Sequence, residues 1–141
     1  MSAHLLHDGS AFPSPGLGTW KIDKGRVASV IHEAIEVGYR HLDCACDYGN
    51  EHLVGAGIKS ALDAGLCKRE DLWVTGKLWN TYHEPQHVRA ACEKSLTDLG
   101  IEQLDLFLIH FPISLEFVPF EVTIPADSKK TVTYTAHYFD K

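Results

Sequence analysis

Three apolar runs begin at Tyr39, Leu72 and Asp105, each 33 residues after the last. Between them lie stretches whose apolar residues recur at helical spacing. Strand, helix and strand at a period of about 30 residues is the βαβ pattern, with right-handed crossovers and a parallel sheet. The pattern leaves a (β/α)₈ barrel, which takes about 250 residues, and a smaller doubly wound sheet both open. In either case ligands bind at the carboxyl ends of the strands.

The local signals fill in this frame. Leu5-Leu6 and Ala11-Phe12 flank His7-Asp8-Gly9-Ser10 as a small hairpin, since Asp-Gly is a strong turn signal. Pro13-Ser14-Pro15 is expected to break regular structure, and Gly16-Leu17-Gly18-Thr19 reads as a first buried strand. Val27, Val30, Ile31, Ala34 and Ile35 mark one face of a helix from about Lys24 to Val37, with Asp23 as its N-cap and Gly38 as a left-handed C-cap. A strand then ends at Asp43. A second helix begins near Asn50 and stops at Gly65; close packing against a strand accounts for Gly55 and Gly57 inside it. Leu72 to Leu78 is the next strand. Pro85 suits a first helical turn, and Gly100 closes the third helix. Asp105-Leu106-Phe107-Leu108-Ile109-His110 reads as a strand buried on both faces.

Composition narrows the classes of function. The 141 residues suffice for one ordinary domain, and 45% of them are hydrophobic. A net charge of −6 without a basic block argues against nucleic acid or an anionic membrane as partner. No run reaches the length of a membrane-spanning helix and the start lacks a signal-peptide pattern, so the expected location is cytoplasmic. Cys44, Cys46, Cys67 and Cys92 fit neither a zinc framework nor a C-x-x-C motif and read as reduced side chains. The nine histidines are scattered, and no metal site is expected.

The same period assembles a site. Asp43, Lys77 and His110 end successive strands, 34 and 33 residues apart, and Tyr48 follows in the loop after the first. Each alone has an ordinary structural explanation; together they put four ionisable groups at one sheet edge. Such a set can deliver a proton to oxygen. A free tyrosine has a pKa near ~10, and a neighbouring ammonium is expected to lower it. Asp43 would supply the counter-charge for Lys77, and His110 would aim a carbonyl at Tyr48. Hydride for the carbonyl carbon must come from a nicotinamide or a flavin, because no side chain can give it.

The segment Gly38-Tyr39-Arg40-His41-Leu42-Asp43, with Ala45, Tyr48, Asn50-Glu51 and Gly55, resembles the first signature of the aldo-keto reductases. The resemblance continues through Gly16-Leu17-Gly18-Thr19-Trp20-Lys21, Gly76-Lys77-Leu78-Trp79 and Leu106 to Pro112, and covers roughly residues 4–122. Phe111, Pro112-Ile113-Ser114 and Phe117 to Glu121 look most like xylose and other aldose-type reductases. The resemblance implies a (β/α)₈ TIM-type barrel binding NADPH, with NADH as the alternative. It implies a small aldehyde or aldose substrate, reduced to the alcohol. Tyr48 would be the general acid, Lys77 and Asp43 would tune it, and His110 would orient the carbonyl. Thr19, Trp20 and Asp43 would lie against the cofactor. Trp20, Trp79, His110 and Phe111 would line the substrate pocket, with core packing as the other reading of the three apolar rings.

The resemblance covers only the N-terminal hairpin and about the first four strand-helix units. Residues 1–122 therefore read as the N-terminal half of an aldo-keto reductase barrel. Residues 123–141 form a divergent tail, either an edge strand or disordered. Four strands do not close a barrel, so self-association through open sheet edges is expected. A truncated relative without catalytic activity, acting by association or inactive, is the competing expectation.

Overall fold

The computed structural model describes residues 2–120, so the tail expected at 123–141 lies outside the described residues. A two-stranded antiparallel hairpin, β1 (Ser2–Leu5) and β2 (Ala11–Ser14), precedes a four-stranded parallel sheet. That sheet takes β3 (Gly16–Gly18), β4 (His41–Asp43), β5 (Trp73–Leu78) and β6 (Leu106–Ile109) in sequence order. The helices α1 (Val27–Glu36), α2 (Glu51–Asp63) and α3 (Pro85–Leu99) form the three crossovers. This is the first part of a (β/α)₈-type barrel.

Helix ends follow backbone chemistry. After α1, Gly38 takes φ 107°. Its N–H donates to Ile35 and that of Tyr39 to Ala34, at 3.0 and 2.8 Å. This paired return of N–H groups satisfies the last carbonyls and turns the chain directly into β4. Gly100 does the same duty after α3 at φ 64°, and Pro85 occupies the first turn of that helix. The N-terminus of α1 differs from expectation. The helix starts at Val27, and the Asp23 carboxylate accepts from the Gly25 N–H, closing the turn before the helix instead of capping it.

The core lies between the sheet and its helices. Val27, Ile31 and Ile35 of α1 and Val54, Ile58 and Ala61 of α2 bury against Leu42 and Val74. Each such aliphatic side chain contributes about 1.5–3 kcal/mol. The two helical glycines do reflect close packing, but against helices rather than a strand. A Cβ at Gly55 would strike the Leu99 carbonyl, and one at Gly57 would come within 2.6 Å of both the Ala28 carbonyl and Ile31.

Three expectations about the strands need correction. β2 runs through Pro13 and Ser14, because a two-stranded hairpin has an outer side where a proline's missing N–H costs no ladder bond. β3 is only partly buried, with Gly16 and Gly18 exposed. β6 is not buried on both faces: Leu108 and Ile109 are 41% and 67% exposed. Among the described residues β6 pairs only with β5, so the apolar run lacks the neighbours its composition suits.

The two ends of the sheet are unequal. At the amino ends, Phe12 of the hairpin packs edge-on against His41 and Trp73, with ring centres 4.7 and 5.1 Å apart. Asp105 ties β6 to β5 there by accepting from Arg69 and from the Val74 N–H, both at 2.8 Å. The carboxyl ends carry the ionisable residues.

Candidate active site

Asp43 is the last residue of β4, and Lys77 lies one residue from the end of β5. His110 follows β6, its N–H continuing the ladder to the Leu78 carbonyl at 3.0 Å. Tyr48 ends a single 3₁₀ turn, Cys46–Tyr48, that leads into α2. The parallel register thus brings three strand ends and one loop to the same edge.

Lys77 is the hub. Its ammonium donates to Asp43 Oδ1 at 2.5 Å, to the Cys44 carbonyl at 2.9 Å and to the Tyr48 hydroxyl oxygen at 3.2 Å. All three N–H bonds are therefore used. Burial works to lower the lysine pKa, but the bonds to Asp43 and Tyr48 and their charges outweigh it, and the net shift is upward. Lys77 is a fixed cation at neutral pH. Because the tyrosine oxygen accepts from Lys77, its own proton is left to point elsewhere.

The expected acidification of Tyr48 does not occur. Burial raises its pKa by more than the Lys77 bond and charge lower it, and the net shift is upward. The phenol keeps its proton at neutral pH. The ammonium at 3.2 Å would act on the phenolate only once the proton has left.

His110 meets Tyr48 edge-on, with ring centres 5.8 Å apart, and stacks on Phe111 at 4.5 Å. Burial first, then the Lys77 charge, lower its pKa, so the ring is neutral at pH 7. The apolar residues gather on both sides. Trp20 is 63% exposed and lies over Tyr48 at 6.3 Å, while Trp79 sits edge-on to His110 at 5.1 Å and to Phe111 at 6.0 Å. Trp79 is also buried among Cys46, Leu78, Tyr82 and Ala91, so it belongs to the core as well as to the site wall.

Thr19 stands apart from the pocket. It is fully buried, and both its N–H and its hydroxyl donate to the Asp43 carbonyl at 3.1 Å. Asn50, absent from the sequence-based set, donates to the Thr19 carbonyl at 2.8 Å and ties the start of α2 beneath the site. Asp47 was also missed. Its Oδ1 lies 3.1 Å from His110 Nδ1, and burial pushes its pKa up to about 6. Its position next to Tyr48 in Cys46-Asp47-Tyr48 is the signal that could have found it. Cys44 and Cys46 are buried with their thiols pushed well up in pKa, so neither is a ready nucleophile. No group of metal-binding geometry occurs among the described residues, and no described helix is long and apolar enough to cross a membrane.

Over 120 residues the chain is 52% identical to the NADPH-dependent aldose reductase of Saccharomyces cerevisiae, a match covering 85% of this chain and 37% of that protein. It is 53% identical over 120 residues to the NADPH-dependent D-xylose reductase of Meyerozyma guilliermondii, covering 85% and 38%. Among solved structures, the aldose reductase of Schistosoma japonicum superposes with a TM-score of 0.81 at 39% identity, covering 97% of this chain and 46% of that one. A Bombyx mori aldo-keto reductase in complex with NADP superposes at 0.78 with 42% identity, covering 81% and 39%. The chain thus spans less than half the length of each of these relatives. Residues 14–119 match the aldo/keto reductase family model, and with that match the chain belongs to the aldo/keto reductase family.

Proposed function

We propose that this chain carries the proton-delivering half of an NADPH-dependent carbonyl reductase acting on a small aldehyde or aldose. One observation carries the reading: a single buried ammonium, Lys77, is hydrogen-bonded at once to Asp43 and to Tyr48. That geometry leaves the phenol proton free to go to a carbonyl oxygen and stabilises the phenolate that remains. His110, neutral and edge-on to Tyr48, aims the carbonyl. Trp20, Trp79 and Phe111 supply apolar walls that exclude water and enclose a small substrate.

The residues fit a dinucleotide. Asp43 is 40% exposed at its side chain, and only Oδ1 is taken by Lys77, so its second oxygen can accept from a ribose hydroxyl. Trp20 offers an exposed ring beside Tyr48. Thr19 supports Asp43 from below. A bound nicotinamide supplies the hydride. NADPH is taken over NADH because the two relatives described above are NADPH-dependent; among the described residues no group selects between the two.

The domain division belongs to the same proposal: residues 1–122 act as the first half of a barrel, and 123–141 lie outside it. The open edge favours a second reading, a non-catalytic chain acting by association. Ile109, which ends β6, and Phe111 just after it are 67% and 48% exposed, and β6 pairs only with β5 among the described residues, the kind of surface that seeks a partner.

Titrating NADPH against the chain while following nucleotide fluorescence separates the two. Saturable binding supports the reductase. No binding by the chain alone, with binding restored by a polypeptide supplying the remaining strand-helix units, supports a half that needs a partner. No binding in either case removes the reductase reading.

A further inference from the structure

Asp47 and His110 face each other in a way the proton-delivery scheme does not use. Asp47 Oδ1 lies 3.1 Å from His110 Nδ1, and the two side chains are 18% and 10% exposed. The atoms meet at ion-pair distance but off the line of a good hydrogen bond. Each is shut off from solvent, and neither has a hydrogen-bond partner among the described residues. Two buried polar atoms 3.1 Å apart satisfy each other if a small rotation lets them share a proton. With Nδ1 turned against Asp47, Nε2 is the ring nitrogen left for a ligand.

We propose that Asp47 is a positioning residue that decides which nitrogen of His110 carries the ring proton, and so whether the imidazole offers the pocket a donor or an acceptor. With Asp47 protonated, the carboxyl O–H donates to Nδ1 and Nε2 keeps its hydrogen as a donor. With Asp47 ionised, Nδ1–H donates to the carboxylate and Nε2 is bare. Passing from the first state to the second releases one proton: the carboxyl proton crosses to Nδ1, and Nε2 gives up its own to solvent.

The surroundings select these two states. Lys77 from β5 is a permanent cation near the ring and disfavours imidazolium, while Asp43 from β4 opposes it more weakly. Tyr48 shares the turn with Asp47 and presents only a neutral ring edge. Trp79 and Phe111 add apolar faces. Burial raises the Asp47 carboxyl to about 6, against the smaller pull of Lys77, so the carboxyl can change its protonation between mildly acidic and neutral pH. The catalytic consequence rests on the reading above that His110 donates to the substrate carbonyl; the proton arrangement itself does not.

Long-range ring nitrogen–proton spectra of the ¹⁵N-histidine-labelled chain test this, with the His110 signals identified by their loss in His110→Gln. At pH 8 the wild type is expected to show Nδ1 protonated and Nε2 bare, and at pH 5 Nε2 protonated. Asp47→Asn is expected to keep Nε2 protonated at both. A wild-type ring with Nε2 protonated at pH 8 overturns the proposal, as does a variant that switches like the wild type. The wild-type titration decides alone if the variant does not fold. In an assembly that turns over, kcat/KM of the wild type should fall about tenfold per pH unit above the switch, and that of Asp47→Asn should stay flat. Absence of turnover with the ring switch intact would count against the reductase reading alone.

Discussion

The β4–β5 centre of the sheet and its β6 edge are built to different standards. On the first, α1 and α2 bury a continuous aliphatic layer, and every N–H of the Lys77 ammonium has an acceptor. On the second, Leu108, Ile109, Phe111, Ile113 and Leu115 stand exposed. The site straddles the boundary. Asp43, Lys77 and Tyr48 belong to the finished side, whereas His110 and Phe111 hang from the unfinished one. The contrast teaches that the Asp43–Lys77–Tyr48 geometry is preorganised within this chain, while His110, which would aim a carbonyl under the proposed function, hangs from a strand with one partner among the described residues.

Removing the hub should produce the largest effect. In an assembly competent for turnover, Lys77→Met should lower carbonyl reduction by about 10²–10⁴-fold. It should also cost about 1–3 kcal/mol of stability. That is less than for breaking a fully buried ion pair, because the Asp43 side chain is 40% exposed. His110→Gln, on the open flank, should reduce turnover but cost under about 1 kcal/mol. Urea unfolding of both variants checks the split, and equal losses of stability would erase the distinction between the two sides.

Glu51 sharpens the comparison through pH. It begins α2, is 1% exposed, and accepts from Ser95 at 3.1 Å. Burial raises its pKa from 4.5 to about 7. A carboxyl with a raised folded pKa binds its proton more tightly when folded, so it favours the folded state at low pH. That contribution is lost as pH climbs from about 4.5 to about 7. Stability should therefore fall across this window by on the order of 3 kcal/mol from this group, and Glu51→Gln should flatten the slope. Thermal unfolding at pH 5 and pH 8 measures it; an unchanged slope in the variant would place the titration elsewhere. A smaller effect is expected at Gly55. Alanine there gains helix propensity of about 1 kcal/mol, but its Cβ meets a backbone carbonyl, at Leu99, that cannot swing away. The clash should win by about 1–2 kcal/mol. A stabilised Gly55→Ala would mean that α2 and α3 are free to part.

Much of the finished side was legible in the sequence because its signals are local or periodic. The 33-residue spacing put Asp43, Lys77 and His110 at one edge, and Gly38, Pro85 and Gly100 marked helix ends by backbone chemistry. What could not be read depends on surroundings. Tyr48 was expected to be acidified by its lysine, yet the depth of the phenol, which no pattern records, outweighs the charge. Asp23 has the right chemistry for a cap but sits in a turn one step too early. β6 reads as buried because its side chains suit a closed barrel, and the described residues supply a neighbour on one side only. Asp47 has no period or motif of its own beyond its place beside Tyr48; its contact with His110, 63 residues away, exists only in the fold.

The smallest effect tests the open edge directly. Ile109 is 67% exposed at the end of β6, and β6 pairs only with β5 among the described residues. A surface position of this kind tolerates substitution within about 0.5 kcal/mol. Ile109→Lys should therefore leave urea unfolding almost unchanged while shifting sedimentation toward smaller species, since a lysine on an edge strand discourages pairing with another chain. The double change Ile109→Lys with Phe111→Ser should strengthen the shift. A loss of 2 kcal/mol or more, well beyond the ~0.5 kcal/mol expected of a surface site, would mean that Ile109 is covered within this chain. The two sides would then be equally finished, and His110 as firmly held as Tyr48.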